Sequence, residues 1–186
     1  MIAIERLAIP DVMEIVPAKF QDSRGFFSEV YKRPALEAEG IAIDWMQDNH
    51  SLSEIPGTVR GLHFQVPPVA QHKLVRVLRG AIFDVAVDLR QGSPTFGRWV
   101  GRELSAERWN QLLIPIGFAH GFMTLTPSTE VFYKVSAPWS AEHERTIIWN
   151  DPDLAISWPD IGLEPTLSDK DRLGSRFTSF ADVFAG

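Results

Sequence analysis

The sequence predicts an all-β protein of the double-sheet jelly-roll type with a few short helices. Short apolar segments are punctuated by Gly and Pro at intervals of about 8–12 residues, which is typical of a β-sandwich or barrel. The clearest alternation lies at 81–89, where four apolar side chains share one face of the predicted strand and Asp84 and Asp88 share the other. No repeat, low-complexity tract or linker-like segment interrupts the chain, so we expect residues 1–186 to form one domain.

The remaining elements follow from apolar and β-branched segments that are bounded by turn residues. We expect further strands at 43–47, 58–65, 74–78, 99–103, 121–125, 130–135 and 146–149. Arg79-Gly80 lies between 74–78 and 81–89 and predicts the turn of a β-hairpin. Helical signals are weak and are limited to 34–39, 106–110 and 179–184.

Composition argues against several classes of function. The formal net charge of −6 disfavours a general nucleic-acid binder, and any anionic ligand would have to meet a local cluster of Arg and Lys. No apolar run approaches the ~18 residues of a membrane-spanning helix, and the first ten residues lack the apolar core of a signal peptide. Because the sequence contains no cysteine, we expect no disulfide and no thiolate chemistry, and a cytoplasmic location.

The most informative stretch for function is Arg60-Gly-Leu-His63, together with Lys73. A histidine exchanges a proton near neutral pH, because its unperturbed pKa is about 6.5. A nearby lysine stabilises the oxyanion that forms when a proton leaves a carbon next to a carbonyl. The pattern therefore predicts a site for proton abstraction. Strict alternation would place Arg60 and His63 on opposite faces of one strand, so we expect a β-bulge at Gly61 or an Arg60 that precedes the regular strand.

The ordered set of motifs along the chain resembles the dTDP-4-dehydrorhamnose 3,5-epimerases, which are metal-independent, cupin-fold enzymes of deoxysugar biosynthesis. The motifs are FQDSRGFFSE at 20–29, QDNHS at 47–51, RGLH at 60–63, KLVRV at 73–77, FDVAVD at 83–88, SPTFG at 93–97, IPIGFAHG at 114–121, YK at 133–134, WND at 149–151 and LSDKD at 167–171. The resemblance implies a cupin-like epimerase domain that acts on a dTDP-4-keto-6-deoxy sugar with no metal and no cofactor.

The resemblance implies His63 as the general base that removes the protons from C3 and C5 of the sugar. Both protons lie next to the C4 ketone, so their removal gives an enolate. Asp171 is implied as the carboxylate that orients His63 and stabilises its imidazolium, as the acid of a hydrolase triad does. The residues alone leave Asp169 and Asp84 open as partners, and a structural histidine in a β-core is the alternative for His63.

Two further catalytic positions are implied on neighbouring segments. Lys73 would hold the C4 oxygen and stabilise the enolate; the alternative is a strand-end lysine that extends to solvent. Tyr133 would donate the proton, because inversion of a carbon needs delivery from the face opposite the base. The chain has twelve Phe and only two Tyr, and a buried phenol needs a hydrogen-bond partner, so a functional Tyr133 is favoured over a core aromatic residue.

Ten further positions are assigned to substrate binding through the resemblance. They are Arg24, Phe27, Glu29, Gln47, Asn49, Arg60, His120, Trp139, Glu144 and Lys170. An arginine offers a bidentate fork to a pyrophosphate, and Phe27 or its neighbour Phe26 is placed to stack on a base. Trp139 stands where the family commonly has tyrosine. An indole can stack on a base but has no phenolic proton, which leaves the base preference and the number of inverted carbons open.

A homodimer is expected, because the resemblance implies that parts of the nucleotide pocket come from the neighbouring subunit. Apolar residues on both faces of 74–78 and the six tryptophans also indicate surface that a partner chain covers. Three other functions stay open: an epimerase acting at C3 or C5 alone of another 4-keto nucleotide sugar, a 4-keto-sugar ketoisomerase, and a non-catalytic sugar-binding cupin. A metal cupin is disfavoured, because the sequence has no pair of histidines one residue apart.

Overall fold

Two large antiparallel sheets form the body of the protein in the computed structural model, which describes residues 2–184. The six-stranded sheet has the order β1 (Ile2–Arg6), β2 (Met13–Pro17), β10 (Gln111–Ile114), β7 (Lys73–Arg79), β12 (Thr129–Val135) and β5 (Gln47–Ser53). The five-stranded sheet has the order β13 (Glu144–Thr146), β6 (Val59–Gln65), β11 (Phe118–Thr124), β8 (Ala81–Asp88) and β9 (Trp99–Ser105). A separate ribbon pairs β3 (Phe20–Asp22) with β4 (Gly25–Phe27).

The main hydrophobic core lies between the two large sheets, which confirms the predicted double-sheet jelly roll. Val75 and Val131 from the six-stranded sheet pack in one cluster with Ile82 and Phe122 from the five-stranded sheet. Further apolar clusters cover the outer face of each sheet. The central strands therefore carry buried apolar side chains on both of their faces. The chain thus buries three layers of apolar side chains around two sheets.

Two short segments cover the outer faces. Helix α1 (Arg33–Glu37) places Leu36 against the six-stranded sheet. The C-terminal segment, with helix α2 (Asp169–Arg172) and the 3₁₀ turn Phe177–Phe180, runs along the five-stranded sheet. Phe64 on β6 meets Phe180 at 5.2 Å between ring centroids, in an edge-to-face arrangement. This packing holds β6, the strand that carries His63.

Several predicted elements are found close to their predicted positions. The strands at 58–65, 74–78, 81–89, 99–103, 121–125 and 130–135 are confirmed within a few residues as β6, β7, β8, β9, β11 and β12. The helix at 34–39 is confirmed as α1, and a 3₁₀ turn lies near the helix predicted at 179–184. The strands β1–β4 and β10, together with α2, were not predicted.

Three local predictions are wrong. The strand predicted at 43–47 begins only at Gln47, and the strand predicted at 146–149 lies earlier, at Glu144–Thr146. The helix predicted at 106–110 is a turn, because Trp109 has a φ of 62°, a left-handed conformation that a helix cannot continue through.

The predicted hairpin of β7 and β8 is also wrong. The chain reverses at Gly80, whose φ is 78°, but β7 enters the six-stranded sheet and β8 the five-stranded one. A Cβ at Gly80 would lie 2.4 Å from Thr126 Oγ1, so glycine is required there. The turn therefore carries the chain from one sheet to the other. Strand β7 instead pairs with β10 and β12, and β8 pairs with β9 and β11. Asp84 and Asp88 on the polar face of β8 are fully buried.

Candidate active site

A polar cavity of about 290 Å³ lies between the two sheets and is lined from both of them. Strand β6 contributes His63 and strand β7 contributes Lys73. Strand β12 contributes Tyr133 from the six-stranded sheet, opposite the five-stranded sheet that carries His63. Asp171 reaches the cavity from α2. The four predicted catalytic residues are therefore gathered around one space.

His63 is hydrogen-bonded to the predicted carboxylate. Its Nε2 lies 2.6 Å from Asp171 Oδ1. Because an ionised carboxylate only accepts hydrogen bonds, Nε2 carries the proton and Nδ1 carries the lone pair of the neutral ring. The two open alternatives are settled by geometry, since Asp84 is bonded to another histidine and Asp169 is exposed. Nδ1 is thus the nitrogen of His63 that is available as a base.

Asp171 is a buried acid with a full set of donors. Ser168 Oγ donates to its Oδ2 at 2.6 Å, and the backbone N–H of Gly61 lies 3.4 Å from Oδ1. Burial raises the pKa of Asp171, but the hydrogen bonds from His63 and Ser168 outweigh burial and leave the pKa below its ordinary value. The carboxylate is therefore ionised at neutral pH.

Lys73 places a buried cation beside His63. Its side chain is only 7% exposed, and Nζ lies 3.3 Å from the His63 carbonyl oxygen. Burial lowers the pKa of Lys73 from 10.5 to about 8, against the opposing effect of the carboxylates of Asp84 and Glu144. At neutral pH the ammonium remains charged, in a setting where little water competes for an oxyanion.

His120 and Asp84 form a second histidine–carboxylate pair next to the first. His120 is the register partner of His63 across β11 and β6, and its Nε2 lies 2.5 Å from Asp84 Oδ1. Burial lowers the pKa of His120, and the nearby Asp84 opposes that effect. His120 also lines the cavity, as expected for a substrate-contact position.

Tyr133 lies on the wall opposite His63 and is half-buried. Burial raises the pKa of Tyr133 above its ordinary value of 10.0, so the phenol keeps its proton at neutral pH. No hydrogen bond from its hydroxyl is found among residues 2–184. A protonated phenol that faces a cavity is able to donate to a bound molecule.

The β-bulge expected at Gly61 is confirmed and brings Arg60 to the cavity with His63. The register of β11 against β6 shifts between His120 and Phe122, opposite Gly61, and Gly61 has a φ of 126°. A Cβ on Gly61 would lie 2.5 Å from Gly121 Cα, so the strands approach too closely for any side chain. The Arg60 guanidinium is held by Ser53 Oγ and the Leu52 carbonyl, each at 3.1 Å.

A second space of about 310 Å³ continues from the first and shares His63, Lys73, Tyr133 and Glu144 with it. The predicted residues Gln47, Asn49 and Trp139 are found in its wall. Gln47 links the other two, because its Nε2 donates to Asn49 Oδ1 at 2.7 Å and its Oε1 accepts from the Trp139 backbone N–H at 3.0 Å. The Trp139 ring is 58% exposed at this end of the cleft.

Glu144 and Lys170 close the cleft with an ion pair at 2.5 Å between Glu144 Oε2 and Lys170 Nζ. Burial raises the pKa of Glu144, but the bonds from Lys170 and Trp139 outweigh burial and the net shift is downward. Both residues line the first cavity, so a carboxylate and an ammonium are available at its rim.

Three predicted binding residues lie outside this cleft. Arg24 on the β3–β4 ribbon is exposed and paired with Asp22, and Glu29 is paired with Lys32. Phe27 is 66% exposed and lines only a shallow depression of the ribbon itself. Arg24 and Phe27 on the ribbon, and Glu29 just after it, are therefore separate from the cleft of their own chain.

Sequence reasoning missed Ser51, Phe122 and Ser168, which also line the cavity. Ser168 had a signal, because a serine before the acidic turn at 169–171 is a typical N-cap of a helix. Within residues 2–184, no group of three or more His, Cys, Asp or Glu side chains is arranged to hold a metal ion. The same residues include no helix that is long and apolar enough to cross a membrane.

Comparison with known proteins adds observations that are independent of the cavity. The sequence matches the family described as dTDP-4-dehydrorhamnose 3,5-epimerase over residues 6–179. A dTDP-4-dehydrorhamnose 3,5-epimerase from Pseudomonas aeruginosa is 54% identical over 180 residues, which cover 96% of this chain and 97% of that protein.

Solved structures agree with the sequence match. A dTDP-4-dehydrorhamnose 3,5-epimerase from Bacillus anthracis with TDP and PPi bound superposes with a TM-score of 0.91 at 49% identity, covering 95% of this chain and 99% of that one. A dTDP-6-deoxy-D-glucose-3,5-epimerase from Legionella pneumophila in complex with dTDP-4-keto-L-rhamnose also has a TM-score of 0.91, at 43% identity, covering 96% of this chain and 94% of that one.

Proposed function

The chain belongs to the dTDP-4-dehydrorhamnose 3,5-epimerase family, a family of isomerases, and from that premise we propose which reaction it catalyses and how. It converts dTDP-4-dehydro-6-deoxy-D-glucose to dTDP-4-dehydro-L-rhamnose by inversion at C3 and C5, with neither a metal nor a cofactor. The observation that carries the proposal is a base and a phenol, His63 and Tyr133, that line one cavity from opposite sheets beside the Lys73 cation.

Each inversion uses two proton transfers. Nδ1 of His63 takes the proton from the carbon next to the ketone, and the C–H electron pair moves into an enolate on the C4 oxygen. Lys73 stabilises that oxyanion, while Asp171 stabilises the imidazolium of His63. Tyr133 then gives its proton to the same carbon from the other face. His63 is left protonated and Tyr133 ionised, and exchange with water resets both before the second carbon reacts.

Substrate binding is assigned to the residues around the two connected spaces. The sugar occupies the space next to His63, His120 and Lys73. The guanidinium of Arg60 and the ammonium of Lys170 attract the pyrophosphate. Such local positive charge is needed because the net charge of the chain, −6, repels an anionic ligand. Gln47, Asn49, Trp139 and Glu144 contact the nucleotide, with the exposed indole of Trp139 stacking on the base.

The ribbon residues enter the proposal through a homodimer. The β3–β4 ribbon exposes Phe20, Phe26 and Phe27, each by more than half, and contiguous exposed aromatic surface is typical of protein–protein contact. Arg24, Phe27 and Glu29 then complete the nucleotide pocket of the neighbouring subunit. Solved structures of family relatives hold TDP with PPi, or dTDP-4-keto-L-rhamnose. A cytoplasmic location stays a prediction.

The base assignment is tested by hydrogen exchange in heavy water. The enzyme incorporates deuterium at C3 and C5 of the substrate, which NMR measures at each carbon. His63→Ala lowers the exchange rate at both carbons by roughly 10³-fold or more, because a general base contributes on that scale. Its affinity for dTDP, measured by calorimetry, changes little.

His50→Ala is the matched control, because His50 on strand β5 is exposed and its side chain pairs with Glu130 on strand β12. It keeps wild-type exchange. Wild-type exchange in His63→Ala would overturn the base assignment. If the unsubstituted enzyme exchanges hydrogen at one carbon only, the protein is a single-site epimerase and not a double epimerase. The assignment of His63 as the base would be unaffected.

A further inference from the structure

Ser168 commits its hydroxyl proton to the acid that orients the base. Its Oγ donates to Asp171 Oδ2 at 2.6 Å and accepts from the Asp171 backbone N–H at 3.2 Å. Since a hydroxyl has a single proton, this donation leaves none for a ligand. Ser168 therefore faces the cavity without a free donor, and its role has to act through Asp171.

The position of Asp171 depends on this contact. Helix α2 is a single turn of four residues, and a helix that short is not stable without other contacts. Lys170 and Arg172, the neighbours of Asp171 in α2, are exposed, whereas Asp171 itself is 4% exposed. The only side chains that bond the carboxylate are His63 on one oxygen and Ser168 on the other, within the described residues. Ser168 therefore fixes the orientation of the Asp171 carboxylate plane relative to His63.

We propose that Ser168 is a positioning residue of the epimerase. By holding Asp171 Oδ2, it keeps Oδ1 aimed at His63 Nε2, and this directs the Nδ1 lone pair of His63 into the cavity. The inference rests on the proposed function, because it acts through the base. It adds a residue outside the four catalytic positions, on which the productive orientation of His63 depends.

A purely structural role predicts something different. Loss of a serine N-cap lowers the stability of the fold and leaves the chemistry of the folded enzyme unchanged. A positioning role changes kcat in the folded enzyme. Ser105→Ala is the matched control, because Ser105 Oγ accepts from the Arg108 backbone N–H in a turn that does not line the cavity.

The test compares Ser168→Ala with Ser168→Thr, which keeps the hydroxyl. We expect Ser168→Ala to lower kcat by roughly 10- to 100-fold, as a small displacement of a catalytic group does, with KM changed less than about twofold. Ser168→Thr restores most of kcat. Ser105→Ala lowers the melting temperature and leaves kcat of the folded fraction unchanged.

The pH profile supplies a second readout. The Ser168 hydroxyl is one of the donors that lower the pKa of Asp171, so its loss raises that pKa and favours protonation of the carboxylate in the His63–Asp171 pair. The acid limb of kcat/KM therefore moves to higher pH in Ser168→Ala. The other titratable groups around this pair are Arg60, Lys73, Asp84, His120, Tyr133, Glu144 and Lys170, and they are unchanged in the variant.

A mutant cycle decides whether Ser168 acts through Asp171. In an Asp171→Ala background, Ser168→Ala lowers kcat by less than about twofold further, because the partner is already gone. An equal loss in both backgrounds overturns the inference, as does a wild-type kcat and pH profile in Ser168→Ala. Either of these results, together with an inactive His63→Ala, would reject the positioning role of Ser168 and leave the proposed function standing. Full exchange in His63→Ala would remove the proposed function itself.

Discussion

Burial acts on Lys73 and Tyr133 in opposite directions and suits each to its proposed task. A low-dielectric environment disfavours the charged form of either group. It therefore lowers the pKa of the Lys73 ammonium to about 8 and raises that of the Tyr133 phenol. The same cavity keeps one side chain protonated as a donor and makes the other a weakly hydrated cation.

The pH dependence of the reaction reports the ionisation of Lys73. The ammonium is charged below its pKa of about 8 and neutral above it, so kcat/KM, which reflects the free enzyme, falls as pH rises through about 8. The Tyr133 phenol stays protonated there, because its pKa lies above the ordinary value of 10.0. We expect a descending limb near pH 8 in a profile measured from pH 6 to 10.

Lys73→Arg removes that limb, because a guanidinium stays charged throughout this range. The shape of the normalised profile is compared, whatever the absolute rate of the variant. A wild-type profile that is flat to pH 9.5, or the same limb in Lys73→Arg, would contradict the role of Lys73 as the cation.

Among the elements, the loop that follows β8 is organised by a single buried carboxylate. Asp88 is fully buried and bonds Arg90, Ser93 and Thr95. Burial raises the pKa of Asp88, but these hydrogen bonds outweigh burial and bring the pKa to about 2. The residue thus ties the loop to the end of the strand β8, which pairs with the strand of His120.

Asp88→Asn lowers the free energy of unfolding by on the order of 2 kcal/mol at pH 7, measured by urea denaturation. Because the folded-state pKa lies below the ordinary value of 3.8, the contribution of the charge is complete above about pH 4 and is lost as pH falls toward 2. The difference between wild type and variant therefore shrinks in acid.

Asp11→Asn is the control, because Asp11 also pairs with Arg90 but its side chain is 52% exposed. An exposed ion pair contributes about 0–1 kcal/mol, so this variant stays close to wild type. A difference between Asp88→Asn and wild type that does not change between pH 7 and pH 3 would mean that shape, not charge, carries the effect.

The β3–β4 ribbon is held to the rest of the protein by aromatic and cation–π contacts with Trp109. Its Phe26 ring meets Trp109 at 4.7 Å, edge to face, and Lys19 Nζ lies 4.3 Å from the Trp109 ring centroid. Trp109 Nε1 donates to Ser28 Oγ at 3.0 Å just beyond the ribbon. The Trp109 contacts anchor the ribbon through Phe26 and Ser28, while Arg24 at its turn and Phe27 at its other end are exposed.

At the scale of the whole molecule, the proposed dimer makes each active site depend on two chains. Arg24→Ala and His63→Ala each inactivate the enzyme in homodimers. In a mixed dimer, the subunit that keeps His63 receives an intact Arg24 from its partner. Mixing the two inactive variants, with subunit exchange, restores about a quarter of the wild-type activity, because half of the dimers are mixed and each has one intact site.

The check is a steady-state assay on the mixture, with native mass spectrometry to count mixed dimers. His50→Ala mixed with His63→Ala serves as the reference for random exchange. No activity in a mixture that contains mixed dimers, or full activity of Arg24→Ala alone, would rule out a ribbon that serves the neighbouring subunit.

Many strands were predictable from local patterns, as were His63 and Lys73, whereas Asp171 and Tyr133 were assigned through the resemblance to the family. Alternation indicated β8, because a strand side chain returns to the same face every second residue, and apolar or β-branched segments bounded by turn residues indicated β6 and β12. The motif around Arg60 and His63 indicated a base, and the odd spacing with a glycine between them indicated the bulge that the structure contains. These features depend on neighbours in sequence, so the sequence alone determined them.

Only the tertiary structure decided which distant groups meet. The choice of Asp171 over Asp84 as the partner of His63 joins residues 108 positions apart, and the separation of β7 and β8 into different sheets depends on burial of both faces of each strand. The bond from Ser168 to Asp171 matters only because α2 packs against β6. Such pairings are set by the free energy of packing whole elements, which no local stretch of residues specifies.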